Sequence, residues 1–211
     1  MMPANHRALI RRAIVRVLKE NPETSVLLKG GVYPNRMEHW LDDELPAAGV
    51  YTLSEEILES DISPDPLERR VALTLELLAR MTAAIDDTLD ELTQGAENAL
   101  TLEAIGAAMT AIVNDLRAAA GLPPLPPVTI NGIPRSSAVD TLLVLKFTGV
   151  ELGIAVDGDR QIGVAAMNYD LEYALPPDWP PLAEFILGIA KWDTQPADGV
   201  IEMTSRVKFD T

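Results

Sequence analysis

The chain has 211 residues, 47% hydrophobic and 23% charged, a balance ordinary for a folded protein with a buried core. Its 32 acids and 17 bases give a formal charge of −15, which disfavours DNA and anionic membranes as binding partners because both attract cations. It has no cysteine, which excludes disulfide scaffolds, cysteine nucleophiles, iron–sulfur clusters and thiolate zinc sites.

Residues 5–20 read as a helix, with Ile10, Ile14, Val17 and Leu18 at helical spacing and arginines on the other faces. Asn21-Pro22 ends it, because a residue before proline resists helical geometry. Extended pieces are expected at Ser25–Leu28 and at Val32–Arg36, after the Gly30-Gly31 pair, and a strand over 45–57. The stretch 63–66, SPDP, is a loop. In LERRVALTLELLAR, residues 67–80, the alternation of Val71, Leu73, Leu75, Leu77 and Ala79 predicts a half-buried strand.

Residues 83–94 switch to a helical period on Ile85, Leu89 and Leu92, with acids on the wet side and Gly95 as the expected end. Thr101 is placed to cap a second helix carrying Ile105, Met109, Ile112, Val113 and Leu116, closed by Gly121. GLPPLPP, 121–127, is a stiff connector. VDTLLVLKF puts Val139, Leu143, Leu145 and Phe147 on one strand face. AMNYDLEYAL puts Met167, Tyr169, Leu171, Tyr173 and Leu175 on one face of another, with the DGDR turn, 157–160, between the two. Beyond the PPDWPP break, PLAEFILGIAKW reads as a short helix and VIEMTSRVKF as a last strand. The order predicts an α+β fold, a mostly antiparallel sheet with helices packed on one face. No apolar run approaches the roughly 20 residues needed to cross a bilayer. The charged start, MMPANHRALIRR, lacks the apolar stretch of a secretion signal, so a soluble, non-secreted protein with no membrane partner is expected.

Charge is unevenly spread: residues 1–36 carry +5, residues 37–99 carry −13 and the remainder −7. Two readings fit. One is a pair of solvated faces, and the other is pairing of the basic helix with the acidic surface, within a subunit or between copies.

Motifs that carry chemistry are scarce in the chain. His39 stands near Asp42, Asp43 and Glu44, but a metal site needs several ligands at defined spacing on a firm element, and HExxH is absent. Asp157 and Asp159 open like a calcium loop, but its twelfth position is Asn168 where a glutamate is required. GxGxxG, GxxxxGK[ST] and GxSxG have no match. Trp40, Trp179 and Trp192 suit core or interface filling better than a ligand box. No catalytic, metal or cofactor residues are assigned, and no enzymatic activity is expected.

One ordered set of segments carries a resemblance: HRALIRRAIVRVL, Tyr33-Pro34-Asn35-Arg36, LPAAGVYTLSEE, LERRVALTLELLAR, IDDTLDEL, FTGVELGI, DGDRQIG and AAMNYDLEYAL. Over roughly residues 5–175 the chain resembles the tail terminator proteins of long-tailed bacteriophages, the lambda minor tail protein U family. That resemblance implies a ring-forming α+β subunit, a homohexamer that caps the tail tube, ends its polymerisation and offers a head-tail joining surface. Its partners would be copies of itself, the tail tube protein and the head-tail connector protein. DNA would pass through the lumen without specific binding, at the head-proximal end of the tail in the virion. A neck or tail-completion protein is the alternative, and a small acidic metal-dependent enzyme around His39, Asp42 and Asp43 a more distant one.

On this reading the chain is a single domain over 1–211, with a helical, proline-rich insertion at 95–135 and a C-terminal extension at 176–211. Subunit-interface residues are expected among Arg11, Arg12, Arg16, Arg69 and Arg70. A docking loop for tube or connector is expected at Glu55, Glu56, Glu59 and Asp61.

Overall fold

A computed structural model describes residues 6–29, 31–36, 39–58, 67–125, 128–130, 133–135, 142–157, 160–175, 191–192 and 203–204. Contacts divide the chain into two compact units, Met1–Leu175 and Pro176–Thr211.

The first unit is α+β. Helices α1 (His6–Glu20), α2 (Pro22–Leu27), α3 (Ile85–Ala99) and α4 (Leu102–Ala119) accompany strands β1 (Gly31–Pro34), β2 (Ala47–Ile57), β3 (Leu67–Arg80), β4 (Val128–Ile130), β5 (Ile133–Arg135), β6 (Leu142–Asp157) and β7 (Arg160–Leu175). Five strands form one sheet in the order β1-β2-β3-β7-β6, parallel between β1 and β2 and antiparallel elsewhere. β4 and β5 pair with each other.

The period-two pattern of β3 decides where the main core lies. Val71, Leu73, Leu75 and Leu77 face the same way as Met167, Tyr169 and Leu171 of β7, and all are buried. α1, α3 and α4 cover this face with Ile10, Leu18, Leu89, Ile105 and Met109. A smaller core lies on the opposite face, where Trp40, Leu45, Ala47, Leu78 and Ile162 pack together under the segment between β1 and β2.

Three local expectations are corrected. Ser25–Leu27 belong to helix α2 and not to a strand: Asn21 accepts from the Glu23 and Thr24 amides, and Pro22 opens the helix where its missing N–H costs nothing. Gly95 lies inside α3 and does not end it; a Cβ there would sit 2.9 Å from Leu27 Cδ1, so the glycine lets α2 approach. β6 runs on through FTGVELGI to Asp157, and bulges between Leu142 and Val144 and between Phe147 and Gly149 reset its faces. Leu142, Leu145 and Phe147 consequently share the core face, opposite Tyr173, Leu171 and Tyr169, whereas Leu143 is the extra residue of the first bulge. Val139 lies outside the described residues.

Thr101 caps α4 as expected, its hydroxyl accepting from the Ala104 amide, and Gly121 follows the helix at φ +70°. Of the stretch read as an insertion, α4 packs on α1 and buries Ile105 and Met109. In the second unit, β8 (Lys191–Trp192) pairs with β9 (Met203–Thr204), so the end of the expected helix PLAEFILGIAKW is strand; its other residues lie outside those described.

Candidate functional site

The arginines of α1 are used in different ways. Arg16 donates to Glu20 and to Asp115 of α4, both at 2.9 Å, tying the two helices together. Arg11 donates to the Thr52 hydroxyl on β2 at 2.8 Å. Arg12 is exposed and forms no ion pair with a described residue.

Arg69 and Arg70 are neighbours on β3, so their side chains leave opposite faces of the sheet. On the helix face, Arg69 donates to Glu55 at 2.9 Å, the Tyr173 hydroxyl donates to the same carboxylate, and the His6 ring stacks on Tyr173 at 5.3 Å. On the other face Arg70 bridges Glu56 and Glu172, each at 2.8 Å. Glu55 and Glu56, expected in a loop, lie in strand β2 and pair with these arginines; Glu59 and Asp61 lie outside the described residues. Four of the residues that the sequence assigns to separate surfaces, Arg69, Arg70, Glu55 and Glu56, thus pair across β2 and β3, one pair on each face of the sheet. Sequence spacing gave no signal for this, since Arg70 and Glu172 are 102 positions apart.

The first cluster makes stability pH-dependent. Burial and the nearby Arg69 guanidinium hold the His6 imidazole below its ordinary 6.5, with Glu55 opposing. Burial alone would raise the Glu55 carboxyl, but hydrogen bonds from Tyr173 and Arg69 outweigh it and hold it below its ordinary 4.5. In both cases the unfolded chain binds protons more readily, so the stabilisation is present above the ordinary value and is lost as pH falls through the folded one. Melting curves between pH 7 and pH 3 are expected to show His6→Gln removing part of the decline that begins below pH 6.5. Glu55→Gln is expected to remove part of the decline that begins below pH 4.5. Variants whose pH dependence superposes on that of the parent would refute the assignment.

The segment between β1 and β2 is held by a residue the sequence reading did not single out. Arg36 lies 4.8 Å from the Tyr33 ring centre and 4.3 Å from that of Trp40. It also donates to Glu44 at 2.9 and 2.7 Å and to the His39 carbonyl at 2.9 Å. Tyr51 donates to the Arg36 carbonyl at 3.0 Å. The residues considered for a metal are part of this closure: Asp42–Glu44 form a 3-10 turn, and Arg80 donates to the Asp42 carbonyl at 2.6 Å. Among the described residues no group of three or more His, Asp or Glu side chains is gathered as a metal site. Arg36→Ala is expected to cost about 1–2 kcal/mol from lost ring stacking alone. Arg36→Lys should recover less than half, because lysine lacks the planar fork, and thermal melting reads both.

The remaining feature is the free edge of the sheet. β6 is an end strand, and among the described residues nothing pairs with its outer side. Its second half exposes Val150, Leu152, Ile154 and Val156. No single helix among the described residues is long and apolar enough to cross a membrane.

No protein-family model matches the chain. No curated protein matches it either. Among solved structures, it is similar to a chain of the "Virion of native gene transfer agent (GTA) particle", with a TM-score of 0.45 and 10% identity, covering 78% of this chain and 94% of that one. A likeness at that level carries no functional conclusion.

Proposed function

We propose that this chain is a structural subunit of a phage-type tail, a ring that caps the tail tube, ends its polymerisation and presents the surface to which the head is joined. The reading is supported by one observation, the ordered set of tail-terminator-like segments, which fall on successive elements of a single body. HRALIRRAIVRVL forms α1, YPNR runs from β1 into the Arg36 closure, and LPAAGVYTLSEE forms β2. LERRVALTLELLAR is β3, IDDTLDEL opens α3, and FTGVELGI and AAMNYDLEYAL lie in β6 and β7. An interaction protein of this kind needs no catalytic group. Six copies at −15 each give a ring of −90, whose acidic lumen would repel DNA and let it slide.

The test has two parts. Light scattering after size exclusion, across salt and magnesium, should give a species near six times 22.9 kDa or a reversible monomer–hexamer equilibrium. Electron microscopy of growing tail tubes should show the protein at tube ends and growth arrested. Binding to head connectors with tube growth unaffected would instead favour the neck or completion role. A strict monomer that also leaves tubes unbound would overturn the ring.

A further inference from the structure

The two ends of the five-stranded sheet are different surfaces. At one end, the core face of β6 continues past the second bulge as Val150, Leu152, Ile154 and Val156, in register with Met167, Ala165, Gly163 and Gln161. The register partners Met167, Ala165 and Gly163 are buried, but the β6 residues are 44, 51, 60 and 72% exposed. Along this half of β6, helix cover thus stops at β7. Such an edge invites pairing: it is long and apolar, with no lysine or proline after Lys146. Functional patches on monomers measure about 300–600 Å², and a stable interface buries about 800 Å² per partner, so this row would form the apolar centre of a larger contact.

The rim of this edge is acidic. Ile85 of α3 packs where a Cβ at Gly163, the register partner of Ile154, would be. α3 therefore borders the row where Ile154 pairs with Gly163. It carries Asp86, Asp87, Asp90, Glu91 and Glu97, all exposed, and no base.

The other end is basic. β1 pairs only with Ala47–Val50, leaving the outer side of Tyr51–Ile57 unpaired among the described residues. Here Leu53, the extra residue of the β2 bulge, is 67% exposed and Ile57 63%. α1 lies over this strand with five bases against one acid, and Arg12 has no partner among the described residues.

We infer that the β6 edge of one copy receives the α1–β2 edge of a second copy, head to tail. Two β6 edges meeting about a two-fold axis would bring α3 against α3, acid against acid, whereas the head-to-tail contact sets bases against acids and apolar residues against apolar residues. Because the joined surfaces differ, the contact repeats around a ring. The inference rests on the ring reading above and names its interface.

The absence of native cysteine provides the test. Leu152→Cys and Leu53→Cys, made separately, are mixed and mildly oxidised, free and with tail tubes present, and the parent's mass is followed by light scattering. Disulfide-linked dimers in the mixture, with little in either variant alone, are expected. Dimers from Leu152→Cys alone would overturn the inference in favour of two-fold pairing. A parent that assembles while no mixture cross-links would overturn this interface and leave the ring standing. A parent that neither assembles nor cross-links would overturn both. Arg12→Glu, an exposed change that leaves the core intact, is expected to raise the assembly concentration at least tenfold, and an unchanged value would refute the charge pairing.

Discussion

Ile105→Ala is expected to lower stability by about 3 kcal/mol, a loss of roughly 6–12 °C in melting temperature for a unit of this size. Ile105 is fully buried where α4 meets α1 and the sheet. Beside it, Ile14, Val50, Leu73, Leu100 and Tyr169 already line a small void, so the space left by truncation adds to one the surroundings have not closed. The result bears on the stretch that the sequence reads as an insertion. A cost of that size means α4 is part of the core on which α1 is mounted. A cost below about 1 kcal/mol would fit a helix applied to the outside of a finished fold.

Gly163→Val is expected to destabilise by about 2–3 kcal/mol through overpacking. A Cβ at this position of β7 would lie 2.5 Å from both Cγ1 and Cδ1 of Ile85 and 3.5 Å from Leu89, so α3 rests on the bare backbone of the strand. Strand propensity alone favours valine over glycine, so the sign of the change separates steric contact from propensity. Ile85→Ala should be mildly destabilising alone and should rescue part of Gly163→Val. A double-mutant cycle without coupling would show that α3 does not press on β7 at this point.

The fold was most legible where one period ran without interruption. β3 from Val71 to Ala79 and β7 from Met167 to Leu175 each keep one face apolar over nine residues, and the α1 stripe is unbroken, so their faces follow from the sequence. β6 was misread because the pattern changes phase at two bulges, and an alternation counted from Val139 puts Leu143 on the wrong side. α2 was missed because Asn21-Pro22 was read only as a stop. The same two residues are also a cap and a first-turn proline, so one helix ends and another begins across them. Gly95 looked like a terminator because its reason for being there, the approach of Leu27, comes from another helix.

The charged residues were visible as a composition, but their pairing was not. Glu55 and Glu56 look solvated when read along the chain. The β2–β3 register brings them to Arg69 and Arg70, and β7 adds Tyr173 and Glu172 from more than 100 positions away. Arg36 was invisible for a different reason: its two aromatic partners and its carboxylate are all within eight positions, but only the closed loop stacks them around one guanidinium. What the sequence did carry was the charge asymmetry, which survives in the fold as a basic α1 and an acidic α3 over different strands.

The place of β3 at the middle of the sheet has a consequence for how the chain is made. Its first neighbour, β2, is local, but its second, β7, pairs from Arg80 with Ile162 to Leu67 with Leu175, separations of 82 and 108 positions. At about 5–20 residues per second, a ribosome needs roughly 5–20 s between releasing the two strands. Through that interval Val71, Leu73 and Leu75 lie on an unfinished sheet, open to other nascent chains. Closing so long a loop is also the slow step to be expected when the denatured protein refolds, well after its helices have formed.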